Sequence, residues 1–135
     1  MLTAAIFYAA LAVIVAIAFA RGGRDERVAA MAMLAAAAAT PFVVSREFAG
    51  PEGGIVLVDV ALFMVLATIA FQSNRFWPMW SAGFQLGALV VHFAVAQLSS
   101  MLPAAYAETL VIWSYPVMGA LLVGTLLEGP RGHRQ

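Results

Sequence analysis

The chain has 135 residues, with seven basic and seven acidic side chains, a net charge of zero and no cysteine. Hydrophobic residues make up 64% of it and charged residues 10%, for a mean hydropathy of +0.94; a soluble domain carries roughly 25% charge to wet its surface. The neutral balance and the lack of a basic stripe exclude nucleic acid as a partner, and the missing cysteine excludes disulfides, thiolate metal sites and cysteine nucleophiles.

The apolar residues come in blocks long enough to cross a hydrocarbon core of about 30 Å at about 1.5 Å per residue. The first block, 2–20, carries no charge. Ala18-Phe-Ala20 has the small residues of a signal-peptide cleavage site, but no basic segment precedes the block and an arginine cluster (Arg21, Arg24, Arg27) follows it. That order predicts a retained span with its N-terminus outside. The second block, 28–44, is alanine-rich, which lets helix backbones approach closely, and Thr40-Pro41 is expected to kink it or mark its exit. The segment Ser45-Arg-Glu-Phe-Ala-Gly-Pro-Glu-Gly-Gly54 has the turn-formers and charges of a solvent loop.

The third span is expected over 54–71, closed by the polar turn Gln72-Ser-Asn-Arg75. The fourth, 78–98, opens on Pro78, a favoured first helical position. Ser99-Ser100 and Pro103 break the chain before the fifth, 104–127, and a short basic tail, Arg131-Gly-His-Arg-Gln135, ends it. With five spans and the N-terminus outside, Arg21, Arg24, Arg27, Arg75, Arg131 and Arg134 are cytoplasmic and only Arg46 is outside. This positive-inside split favours five spans. The expected fold is an all-α bundle of five transmembrane helices forming a single integral membrane domain, with a cytoplasmic C-terminus.

Side chains able to carry chemistry are few. Asp59 and His92 both fall roughly 8–9 Å below the outer boundary, with Glu108 about a turn into span five and Arg46 at the outer end of span two. They form one expected polar layer, and an ionisable group inside a membrane must face the bundle or a wet cavity and find a partner. Ser81, Gln85, Ala88, His92 and Ser99 make one stripe of span four, with the glycine pair Gly83 and Gly87 opposite as a helix-packing motif. Glu108, Ile112, Tyr115 and Gly119 share a face of span five, which would put Tyr115 below Glu108 along the same cavity.

Plainer readings stand beside these. Asp59 could reach the interface or clamp Arg46, and His92 could make one interhelical hydrogen bond. Phe76, Trp77 and Trp80 suit an aromatic belt at the inner interface, and Trp113 and Tyr115 suit packing. A haem held by two imidazoles needs a second intramembrane histidine, and no HExxH, P-loop or GxSxG motif is present. No cofactor, no metal and no catalytic activity are therefore expected.

The run Ser73-Asn-Arg-Phe-Trp-Pro-Met-Trp80 through His92, followed by Trp113-Ser-Tyr-Pro116, resembles segments of small, uncharacterised multi-span inner-membrane proteins of GC-rich bacteria. The resemblance covers about the second half of the chain and implies the bacterial inner membrane, without a function. The leading expectation is a non-catalytic protein that packs against other membrane subunits or against itself within the bilayer. The alternative is a small transporter or ligand-binding protein using Asp59, His92, Glu108, Gln85, Tyr115 and Arg46. An integral enzyme or cofactor binder ranks last.

Overall fold

The computed structural model describes residues 2–43, 53–98 and 103–128, and these form five helices: α1 (Leu2–Arg21), α2 (Arg24–Val43), α3 (Gly53–Gln72), α4 (Trp77–Gln97) and α5 (Pro103–Leu127). All five are long and apolar enough to span a membrane. The chain is a small multi-span membrane protein. Successive helices run antiparallel. Each packs on its neighbours in sequence, α5 closes the ring against α1, and α2 reaches across to α5. The ends of the bundle differ in chemistry: Arg21, Arg24 and Arg75 gather at one end, which we call the arginine end.

Side-chain size explains how close the helices come. A Cβ added at Gly87 would stand 2.5 Å from the Trp113 ring, so α4 and α5 meet where α4 has no side chain. Gly124 does the same for Trp77 in the opposite direction. Gly83, the other half of the expected packing pair, is exposed, and nothing lies within 4 Å of its added Cβ. Of that pair, Gly87 alone serves helix packing among the described residues. The Ser81, Gln85, Ala88 and His92 stripe of α4 is buried as its spacing requires; Ser99 lies outside the described residues.

Helix α2 starts at Arg24, before the expected position 28, and this changes the standing of Glu26. Acidic side chains are favoured in a first helical turn, where free N–H groups and the helix dipole meet them. Glu26 Oε2 accepts the Gly23 backbone N–H at 2.8 Å, much as in a capping box. Its Oε1 accepts Trp77 Nε1 at 3.0 Å and also pairs with the Arg75 guanidinium. Glu26 is 0% exposed. It pins the α1–α2 turn to the α3–α4 turn, so Trp77 is a buried partner, 3% exposed, and does not join the expected interfacial belt. Phe76 and Trp80 remain exposed. The Phe76 backbone N–H, just before α4, faces Glu128 Oε1, just beyond the end of α5, at 3.4 Å.

Candidate functional site

Asp59 lies six residues into α3, roughly 9 Å along its axis from Gly53, and His92 lies five residues from the end of α4, roughly 8 Å from Gln97. Because α3 and α4 are antiparallel, these offsets bring the two to one level. His92 Nε2 is 2.7 Å from Asp59 Oδ2. On the other ring nitrogen, Nδ1 meets the hydroxyl of Tyr106, whose ring stands edge-on to the imidazole at 82° with 5.6 Å between centroids. Gln85, almost two turns before His92 on α4, donates its Nε2 to Asp59 Oδ1 at 3.1 Å and to the Asp59 carbonyl at 3.2 Å. Two acceptors on one side fix which end of the Gln85 amide faces α3.

The hydrogen bonds form a consistent series. The Gln85 amide nitrogen only donates, so Asp59 accepts there. With the Asp59 carboxylate ionised and His92 in its Nε2–H tautomer, His92 donates from Nε2 and its Nδ1 accepts the Tyr106 hydroxyl proton. Tyr106, His92 and Asp59 then form a donor–acceptor chain across α5, α4 and α3, with all but the carboxylate buried. The Asp59 side chain keeps 21% of its surface accessible.

That accessible surface faces a cavity of about 280 Å³ in the centre of the bundle, bordered by all five helices. Ala4, Phe7 and Leu11 of α1, Met33 and Ala37 of α2, Leu62 of α3, Ala88 of α4 and Leu110 and Val117 of α5 form much of an apolar wall. Asp59 and Gln85 interrupt it.

Of the residues expected to form the polar layer, Asp59, His92 and Gln85 are brought together. Glu108 is not: it is exposed, and the face it shares with Ile112 and Tyr115 points outward. Tyr115, 37% exposed, packs edge-on against Phe7 of α1 at 6.2 Å, outside the cavity lining. Arg46, the suggested partner of Asp59, lies outside the described residues. Tyr106 takes the place expected of Glu108. Its signal was its own stripe, since positions 106, 117 and 121 share a helix face, and Tyr106, Val117 and Leu121 are all buried. Glu26 and Arg75 were missed because both lie in stretches that look like solvent turns.

Fold and site thus define a small multi-pass membrane protein with an Asp–His–Tyr chain beside a central cavity. No protein-family model, no curated protein and no solved structure matches the chain, so these comparisons identify no family.

Proposed function

We propose that this protein is a non-catalytic small transporter or ligand-binding membrane protein whose site is the central cavity. Asp59 is its charged group, and His92 and Tyr106 are the route by which a proton reaches or leaves it. The supporting observation is the Asp59 carboxylate on the wall of a largely apolar cavity, backed by two hydrogen-bonded side chains from another helix. A carboxylate within a membrane is costly and is expected to face the bundle or a wet cavity. The arginine distribution further supports an N-terminus outside and the arginine end in the cytoplasm, and the resemblance of the second half of the chain supports a bacterial inner membrane.

A ligand site must be reachable from water. The cysteine-free chain allows Ser114→Cys, on the cavity wall, to be compared with Ala94→Cys on the exposed outer face of α4. The cavity cysteine is expected to react at least about tenfold faster with a small water-soluble thiol reagent, because the outer one faces lipid, where the reagent does not partition. Equal, slow reaction at both positions would close the cavity and end this reading. Packing as a subunit, with other membrane proteins or with itself, is the competing reading; the open notch at Gly83 favours it. A stoichiometric partner in a gentle detergent extract, together with an unreactive cavity, would establish it.

A further inference from the structure

The chemistry of the cavity wall is uneven in a way that selects among ligands. The hydroxyls that reach it, from Tyr8, Thr40 and Ser114, each donate to a backbone carbonyl. Among the described residues that line the wall, Asp59 carries the only carboxylate and none is Arg or His. A carboxylate offers about four lone-pair sites, and Gln85 and His92 use one on each oxygen. Both oxygens therefore retain accepting capacity beside the cavity. The volume, about 280 Å³, is nearly twice that of an apolar cavity of ~150 Å³ that takes up benzene.

We propose that the cavity binds a lipophilic primary amine in its ammonium form, with a single ring or a compact aliphatic body against the apolar wall and its N–H groups donated to Asp59. This assignment rests on the cavity being the binding site. An anion would meet the Asp59 carboxylate and, among the described lining residues, no positive side chain. A neutral alcohol has one donor to offer and no charge. A hard metal cation needs about six oxygen ligands, whereas the wall supplies one carboxylate, and no group of three His, Asp or Glu clusters among the described residues. An ammonium supplies three donors and meets the charge in a medium where the attraction is strengthened. Ammonium and proton then compete for a single carboxylate, the arrangement an exchanger needs.

The test uses three probes with one body and different heads: 2-phenylethylamine, 2-phenylethanol and 3-phenylpropanoate. Each is titrated at pH 7 into the purified full-length protein in detergent, and Kd and the shift in Tm are read. The amine is expected to bind about tenfold or more tightly than the alcohol, since a charge-assisted hydrogen bond is about twice as strong as a neutral one, and the propanoate is expected not to bind. Asp59→Asn should remove the advantage of the amine, bringing its affinity to that of the alcohol in the same variant. Equal affinities for amine and alcohol in the unsubstituted protein, or a preference that survives Asp59→Asn, would overturn the proposal. If Asp59→Asn does not fold, the ranking in the unsubstituted protein decides alone. Ala107→Phe, which places a large ring on the cavity wall, separates the two levels. Should all three probes bind equally and Ala107→Phe abolish binding, the cavity stands and the amine falls. Should none bind, both fall.

Discussion

His92 Nε2 lies 2.7 Å from Asp59 Oδ2, across the seam between α4 and α3. The same ring meets Tyr106 on its other side, so one imidazole ties three helices together. Tyr106→Phe removes the hydroxyl and keeps the ring. It should lower stability by about 0.6 kcal/mol, and by no more than about 1.7, the range for hydrogen bonds between membrane helices. Tyr115→Phe, at an exposed position, should leave stability unchanged. Paired unfolding titrations in mixed micelles would show it; equal losses would mean that the phenol of Tyr106 is not held as described.

The Glu26 pin should matter more. Glu26→Ala leaves the Arg75 guanidinium, Trp77 Nε1 and the Gly23 N–H without their shared acceptor. Removing one member of a buried ion pair costs about 3–5 kcal/mol. Glu108→Ala, at an exposed site, is expected to change stability by less than about 0.5 kcal/mol. Unfolding curves for the two variants should therefore separate widely, and matching curves would refute the pin.

Gly87 and Gly83 should part company in the same assay. Gly87→Ala drives a methyl into the Trp113 ring and should cost about 1–3 kcal/mol as overpacking. Gly83→Ala meets nothing within the chain and should leave monomer stability within about 0.5 kcal/mol. A changed particle mass for Gly83→Ala in detergent would instead make that notch a contact between copies.

Orientation can be read with single cysteines in intact cells. Asn74→Cys stands at the arginine end, and Gly53→Cys at the opposite one. A membrane-impermeant thiol reagent should label Gly53→Cys at once and Asn74→Cys only after lysis. The reverse result would invert the bundle.

The spans were legible because hydropathy and length are summed over some twenty residues, and local exceptions do not disturb the sum. The meeting of Asp59 and His92 was legible because rise per residue fixes depth, and antiparallel neighbours at equal depth come face to face. Choosing between Tyr106 and Glu108 was harder. They lie about 200° apart on a helix, so only one can face the bundle. Counting charges favours the carboxylate, but a phenol buries a large apolar ring and needs only one partner for its hydroxyl, while a carboxylate one turn from a helix end can reach water. Glu26 was hidden for a related reason. Among Arg21, Arg24, Asp25 and Arg27 it looks like one more solvated charge, and only the arrival of Trp77 and Arg75 from another part of the chain removes it from water. The Trp77 indole was equally ambiguous, since three neighbouring aromatics suit a belt until one of them finds an acceptor.

The Glu26 pin also sets an order of events during synthesis. The carboxylate leaves the ribosome with α2, whereas Arg75 follows 49 residues later and Trp77 follows 51 later. At about 5–20 residues per second, it waits roughly two to ten seconds for them. Through that interval the α1–α2 hairpin holds a charge with only its own turn to bind it, so the hairpin has reason to stay near the membrane surface or the insertion machinery until the α3–α4 turn emerges. The cavity comes last, because its wall is incomplete until α5 has been made and closes against α1. The nascent protein thus locks its arginine end well before it has a chamber to fill.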